Sequence, residues 1–164
     1  MKSGDVVLVD TNVIIEGHLR HCWAALTGAY CVQTVDKCVI EAMTGRHEWQ
    51  QTKPSEADLR DTFDAVHEVS RNELAKVLVS GGAMLDEGEQ HLWAHALARQ
   101  DAWIICGPDR ASMRFGFEQQ QRERLVSLSG LLKTINFTPK VALRPHFEQA
   151  WLDDVVRKLV LGLL

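Results

Sequence analysis

The sequence predicts an α/β fold: a three-layer α/β/α sandwich in which helices cover a central parallel sheet of four to five strands, with an appended C-terminal helix. Apolar runs without polar alternation, the clearest at Val6–Val9 and 102–106, are typical of strands buried on both faces. Segments with helical spacing of apolar residues separate these runs. Strands that alternate with helices in this way form parallel sheets with right-handed crossovers.

The element boundaries follow from apolar spacing and from glycine and proline stop signals. Strands are predicted at four runs: 6–9, 29–32, 102–106 and 125–128. Helices are predicted over 12–27, from Thr34 or Asp36 to Gly45, over 55–78 as one helix or two, from Asp86 to Leu97, after Asp109, over 129–135 and from Phe147 onward. The polar segment 46–53 is predicted to be a loop. Thr11 or Asn12 is expected to cap the first helix.

The chain divides into a main domain over 1–137 and a C-terminal helical extension over 138–164, at a break marked by Pro139 and Pro145. The extension is amphipathic, so it is expected either to pack on the same domain or to form a dimer contact. Together with the apolar stripe over 59–78, it provides two surfaces for the homodimer that we predict.

Composition restricts the classes of protein that fit. The chain has 164 residues, 46% of them hydrophobic, which is enough for one domain with its own core. No apolar signal region or membrane-spanning stretch is visible, so a cytoplasmic protein without a membrane partner is expected. The four cysteines never fall as C-x-x-C, which favours reduced, buried thiols. A net charge of -4 argues against non-specific coating of nucleic acid but allows a local basic strip.

Four acids are expected near the carboxyl edge of the sheet, where open α/β sheets bind ligands. Asp10 directly follows the first strand, and Asp109 follows a later buried strand after a short turn. Glu41 and Glu89 lie on helices that pass this edge. Asp86 is a weaker fifth candidate, because it lies about 60° from Glu89 around the helix.

Each acid also has a purely structural interpretation. Asp109 can be the N-cap of its helix. Asp86 and Glu89 have the spacing of a capping box. Glu41 can be an ordinary helix carboxylate that reaches solvent. Singly, each of these interpretations competes evenly with a functional one, but the alignment of all four acids favours a shared site.

The order of these motifs resembles the PIN-domain nuclease family over 6–135. An apolar strand ends in Asp10-Thr11-Asn12, where Asn12 corresponds to a polar residue that helps to hold water or metal. The family's second acid is matched by Glu41, its third by Glu89 in the pair Gly-Glu, and its fourth by Asp109. The chain departs from the pattern at 107–108, where Gly-Pro replaces a Thr and a second polar residue or acid, so Asp109 has no companion.

The resemblance implies a divalent-metal-dependent endoribonuclease, and VapC-like toxins, which have antitoxin partners, are among its relatives. It implies that the catalytic residues and metal ligands are Asp10, Glu41, Glu89 and Asp109, supported by Thr11, Asn12 and Asp86. The chemistry of the residues agrees, because clustered carboxylates stay ionised together only around a cation. Oxygen ligands without paired Cys or His favour Mg²⁺ or Mn²⁺, which orient a water and hold a scissile phosphate.

Basic and aromatic residues supply further candidates for contact with RNA. Arg110 and Arg114 follow Asp109 and are expected either to hold phosphates or to form a solvated helix face. Trp49 is expected either to stack on a base or to fold back onto the core.

Two other functions compete with the nuclease. A phosphotransfer enzyme of the haloacid dehalogenase kind needs a second Asp two residues after the first, but position 12 is Asn. A non-catalytic relative that binds RNA or protein would be favoured by loss of one of the four acids, and all four are present.

Overall fold

The computed structural model describes residues 1–45, 49 and 53–164. The strands are β1 (Val6–Val9), β2 (Cys31–Val35), β3 (Ala65–His67), β4 (Ile104–Cys106) and β5 (Leu125–Val126). The α-helices are α1 (Thr11–Leu19), α2 (Trp23–Ala29), α3 (Asp36–Thr44), α4 (Glu56–Arg60), α5 (Arg71–Val79), α6 (Glu87–Ala98), α7 (Arg110–Glu118), α8 (Leu128–Thr134) and α9 (Gln149–Val160).

The predicted α/β sandwich is confirmed. The five strands form one parallel sheet in the order β3-β2-β1-β4-β5, and helices complete the three layers. β1 is the central strand: Val7 pairs with Val32 of β2 on one side and with Ile104 of β4 on the other. Val7, Leu8 and Val9 of β1 are almost fully buried and Val6 is partly buried, as the absence of polar alternation predicts.

The strand order creates a switch point beside β1. The chain runs outward from β1 to β3 and then returns to place β4 on the opposite side of β1. In open α/β sheets, the crevice at the carboxyl ends of the strands where the order reverses is the usual ligand site. The two strands that meet there, β1 and β4, are the ones followed by Asp10 and Asp109.

Two helix predictions are only partly right: 12–27 is not one helix, and the two helices expected as an alternative over 55–78 are separated by a strand. The segment 12–27 forms two helices, because His21 adopts a left-handed backbone (φ 55°) between α1 and α2. Trp23 then folds back on Gly17, where an added Cβ would lie 2.8 Å from the indole ring. The segment 55–78 is not continuous helix but α4, the edge strand β3 and α5. β3 is too short for its apolar pattern to be distinguished from a helical one.

The predicted caps also need correction. Asp10, rather than Thr11 or Asn12, is the N-cap of α1. Val35 is the N-cap position of α3, and the Thr34 hydroxyl instead donates a hydrogen bond to the Val9 carbonyl at 2.7 Å. That bond ties the end of β2 to the end of β1, next to Asp10.

The predicted loop 46–53 lies outside the described residues except at Trp49 and Lys53. Trp49 is buried, and its indole N–H donates to the Ala42 carbonyl at 3.2 Å. It therefore folds onto the core, as one of its two interpretations predicted. Of the four cysteines, all with free thiols, three are buried and Cys31 is partly exposed.

The C-terminal helix packs on the domain. α9 contacts α7 and α8 and buries Leu152, Val155 and Leu159. Before it, the Arg144 guanidinium Nε and backbone N–H both donate to the fully buried carboxylate of Glu16, at 2.6 and 2.8 Å. None of the described helices has the length and apolar character needed to cross a membrane.

The apolar stripe over 59–78, expected to be one surface of the homodimer, is not continuous, and of its residues Leu78 is exposed. Leu59, Phe63 and Val77 are buried in the core and belong to different parts of the chain.

Candidate active site

Asp10 lies where β1 ends and α1 begins, and it is almost fully buried. One carboxylate oxygen, Oδ1, accepts a hydrogen bond from the Val13 backbone N–H at 2.8 Å. The other faces the turn after β4, since an added Cβ at Gly107 would lie 3.4 Å from Asp10 Oδ2. The glycine that departs from the family pattern therefore leaves room next to this carboxylate.

The electrostatic environment of Asp10 opposes its ionisation. Burial, with smaller contributions from the charges of Asp86 and Asp109, raises the pKa of Asp10 to about 7 from an ordinary value of 3.8. Hydrogen bonds from the Val13 N–H and the Asn12 side chain act in the opposite direction. Asp10 is thus a carboxylate whose charge is stabilised by any nearby cation.

Glu89 is the second buried acid, in the first turn of α6. It forms a capping box with Asp86: the Glu89 N–H donates to Asp86 Oδ1 at 2.8 Å, and the Asp86 N–H donates to Glu89 Oε2 at 3.3 Å. Its other oxygen, Oε1, is buried and has no hydrogen-bond partner among the described residues. The capping interpretation is therefore correct, but it accounts for only one of the two carboxylate oxygens.

The pKa of Glu89 is raised further than that of Asp10. Burial, followed by the charges of Asp86, Asp109 and Asp10, raises it to about 9 from 4.5. An unpaired oxygen of this kind is costly to bury, so its environment favours either a proton or a cation.

Glu41 is half-buried and belongs to the same region. The Thr11 hydroxyl donates a hydrogen bond to Glu41 Oε2 at 3.0 Å. The residue that follows Asp10 in the chain therefore holds a carboxylate of α3. Burial raises the pKa of Glu41, with the charge of Asp86 adding to the shift, whereas Thr11 and Lys37 oppose it. The backbone at Gly88 lies directly against this carboxylate.

Asp109 is exposed and caps α7, as its structural interpretation predicted. Its Oδ1 accepts from the backbone N–H groups of Ala111 and Ser112 at 2.6 and 3.3 Å. Its charge still raises the pKa of both Asp10 and Glu89. It therefore faces the two buried acids from across the switch point.

Asp86 is more central than its sequence position indicated. Although exposed, Asp86 carries a charge that raises the pKa of all three of Asp10, Glu41 and Glu89. Its neighbour Glu87 instead pairs with Lys37 outside the cluster. Lys37 is a cation near the site that the sequence did not reveal, because only the fold brings the start of α3 to the start of α6.

The predicted phosphate-binding arginines lie next to these acids in the chain. Arg110 and Arg114 are exposed on α7, and Arg114 pairs with Glu118 at 2.8 Å. Arg124, further along, instead lies over the Trp103 ring at 4.4 Å from its centre and donates to the Trp103 carbonyl.

The described residues include no group of three His, Cys, Asp or Glu side chains already arranged to hold a metal ion. Oxygens of Asp10, Glu89 and Asp109 accept from backbone N–H groups at helix starts, which turns part of each carboxylate away from the others. The donors nevertheless suit Mg²⁺ or Mn²⁺, because they are hard carboxylate oxygens and Glu89 Oε1 is buried with no partner in the described part of the chain. The residues therefore fit such a cation in chemistry, with side-chain rotation needed to complete its shell.

Comparisons with protein-family models, with curated proteins and with solved structures find no match for this chain. The resemblance to PIN-domain nucleases therefore rests on the motifs and on the site itself.

Proposed function

We propose that the protein is a divalent-metal-dependent endoribonuclease of the PIN-domain type. The observation that carries the proposal is the pair Asp10 and Glu89: two buried carboxylates, of which Asp10 adds to the raised pKa of Glu89, while Glu89 has an oxygen with no hydrogen-bond partner among the described residues. Structural capping needs neither the burial of both acids nor the unpaired oxygen. Acids with strongly shifted pKa values in a switch-point crevice are typical of functional sites.

The residues of the cluster have separate roles in this proposal. Asp10 and Glu89 would hold Mg²⁺ or Mn²⁺, and Glu41, Asp86 and Asp109 would contribute further oxygens, directly or through water. A bound cation of this type neutralises the acids, orients a water and lowers its pKa, and holds the scissile phosphate.

The neighbouring polar residues position the acids and the substrate. Thr11 fixes the Glu41 carboxylate through its hydroxyl. Asn12 orients Asp10, and its exposed position lets it contact a water or a phosphate. Arg110 and Arg114 bind phosphates of single-stranded RNA on the side of α7.

The proposal is tested by incubating mixed RNAs with the protein in Mg²⁺, in Mn²⁺ and in EDTA. We expect cleavage with either cation, none in EDTA, and none from Asp10→Asn. The matched control is Asp61→Asn, which changes an exposed aspartate at the end of α4 and should cleave like the parent. A folded parent protein that cleaves no RNA with either cation would end the proposal.

A second function is favoured by one observation, the absence of a preformed metal-ligand group among the described residues. A non-catalytic module of the same fold would bind RNA or a protein and need no cation. This function predicts that the parent and Asp10→Asn shift RNA equally in a gel-shift assay, both in EDTA and in Mn²⁺, and that neither protein cleaves it.

The proposal extends to the biological setting that the resemblance implies. We infer a cytoplasmic toxin of a toxin–antitoxin pair, acting as a homodimer. Induced expression in bacterial cells should then stop growth, and the Asp10→Asn variant should not. Equal growth with both proteins at equal levels would contradict the toxin assignment but not the nuclease.

A further inference from the structure

A cavity of about 350 Å³ lies beside the acidic cluster, on the side of α7. Two of its wall residues, Leu85 and Arg110, directly adjoin Asp86 and Asp109 in the chain. Since consecutive α-carbons are about 3.8 Å apart, the cavity opens within one residue of two proposed cation ligands. The cavity is therefore close enough to the cluster for one extended molecule to reach both.

The wall of this cavity is mostly apolar. It is formed by Met84, Leu85, Ala111, Phe115 and Leu164. Met84 is 86% exposed, so its side chain is available to a bound molecule at the mouth of the cavity. The volume lies within the range of small-molecule sites, about 300–1,000 Å³.

The rim of the cavity is polar and charged. Arg110 and Arg114 stand on it, and Arg114 is joined to Glu118 at 2.8 Å. Arg110 lines the cavity and directly follows Asp109 in the chain, so its guanidinium is available to a backbone phosphate there. Arg114 and Glu118 supply hydrogen-bond donors and acceptors to the edge of a nucleobase.

We propose that this cavity binds one unpaired nucleobase of the RNA, adjacent to the scissile phosphate. This inference rests on the proposed nuclease function. Single-stranded RNA is recognised by enclosing splayed bases against apolar and aromatic side chains while cations track the phosphates. An apolar wall, a cationic rim and a cluster of acids one residue away reproduce that arrangement. The cavity makes the flanking base a determinant of cleavage, and the pair Arg114–Glu118 sets which base is preferred.

The decisive variant fills the cavity. Ala111→Leu places a larger apolar side chain inside it, keeps the helix and leaves the backbone N–H that Asp109 caps unchanged. Ala150→Leu makes the same change at an exposed position of α9 and is the matched control. A second variant, Met84→Gln, removes part of the apolar wall. Because Met84 is exposed, this change should not affect folding, so it tests the cavity even if Ala111→Leu destabilises the protein.

The first measurement is cleavage of single-stranded oligonucleotides in which the nucleotide on either side of the mapped cleavage point is replaced by an abasic residue. For the parent and Ala150→Leu, loss of the base on one side should slow cleavage about tenfold. Ala111→Leu should cleave slowly when the base is present, and removal of the base should not change its cleavage rate. The effect of base removal on Met84→Gln should lie between those on the parent and on Ala111→Leu. Exchange of Arg114 or Glu118 for Gln should change the ranking of the four bases.

The second measurement needs no cleavage. The four nucleoside 5′-monophosphates are titrated in EDTA while the backbone amide signals of Leu85 and Ala111 are followed by NMR. Shifts in the parent that are lost in Ala111→Leu support the cavity, even if the parent cleaves no RNA. The base site is overturned if the parent cleaves abasic oligonucleotides of both kinds at the normal rate and its amide signals do not shift at millimolar nucleotide. That result would leave the nuclease proposal standing.

Discussion

An added Cβ at Gly88 would lie 2.3 Å from Oε2 of Glu41. The start of α6 thus approaches α3 so closely that only glycine leaves the Glu41 carboxylate where it is. Glycine is otherwise a poor choice inside a helix, where it costs about 1 kcal/mol relative to alanine. The position of one proposed ligand is therefore maintained at the expense of helix stability.

We predict that Gly88→Ala separates stability from activity. The clash falls mainly on the end of a flexible side chain, so Glu41 can swing away and the free energy of unfolding should change by less than about 1 kcal/mol. The displaced carboxylate should reduce cleavage and Mn²⁺ affinity. Gly28→Ala in α2 is the matched control, because a Cβ added at Gly28 would have no described atom within 4 Å. This change should raise stability and leave activity unchanged. Denaturant titration and cleavage rates measure both effects, and equal activity of the two variants would contradict the role of Glu41.

Removing one charge from the cluster should not destabilise the protein in EDTA. Asp10→Asn keeps the oxygen that accepts from Val13 and removes a charge that burial disfavours, so its melting temperature should equal or exceed that of the parent. Glu89→Gln should behave alike, and both should lose cleavage. By contrast, Asp109→Ala should cost about 1 kcal/mol through loss of an N-cap. Amide variants that melt well below the parent and still cleave RNA would indicate a structural cluster.

Divalent cations should stabilise the native protein. A cation that binds only the folded state adds about 2.7 kcal/mol when its concentration is a hundred times the dissociation constant. Thermal melts in millimolar Mn²⁺ and in EDTA should therefore differ for the parent and coincide for Glu89→Gln. Coincident melts of the parent, with no heat of binding by calorimetry, would exclude a functional cation site.

The partly buried histidine His18 should make a destabilising contribution in mild acid. His18 stacks between Trp23 and Trp49, its Nε2 has no partner among the described residues, and burial lowers its pKa from 6.5 to about 4. A lowered folded-state pKa means that the unfolded chain binds the proton first. The contribution of neutral His18 to the free energy of unfolding is therefore complete above pH 6.5 and is lost as the pH falls toward 4. The loss should be on the order of 2 kcal/mol.

His18→Phe retains the aromatic contact and should flatten this part of the pH profile. The control His21→Asn changes an exposed histidine whose left-handed backbone asparagine tolerates. Its unfolding free energies between pH 4 and 7 should run parallel to those of the parent. Asp10 and Glu89 act in the opposite direction, because their raised pKa values favour the folded state in acid. The difference between His18→Phe and the parent isolates the histidine, and no difference would refute the prediction.

The homodimer prediction now rests on exposed apolar side chains outside the core. Val79 is 90% exposed, and Leu161 and Leu163 are 63% and 67% exposed. Light scattering at tens of micromolar should give twice the mass of the chain, and a Val79→Lys, Leu161→Lys double variant should give the monomer mass. A monomer mass for the parent would be decisive against it.

The sequence predicted the parts of the fold that depend on long or unusual patterns. β1 was identifiable because four apolar residues end in Asp10, and the start of α6 because Asp86 and Glu89 have capping-box spacing. β3 was missed because its three residues are stabilised by pairing with β2, which no local pattern contains. The break at His21 was missed because its backbone conformation depends on the packing of Trp23.

The candidate site shows the same division. The sequence selected Asp10, Glu89 and Asp109, and the structure supports both their capping roles and their electrostatic proximity. It undervalued Asp86, whose influence on three other acids comes from the fold. It also offered no means of finding the cavity beside α7, because Met84 and Ala111 become neighbours only through tertiary packing.

The placement of the acids on either side of β1 and β4 determines when the site forms during synthesis. Val9 pairs with Cys106, so a nascent chain that has not yet reached β4 leaves Asp10 at an open edge of the sheet. The contacts between Glu16 and Arg144 span 128 residues and are completed later still. Contacts of such long sequence separation form slowly. The acids can therefore face one another only after the chain as far as Asp109 has left the ribosome, and a fragment that stops before β4 lacks the assembled site.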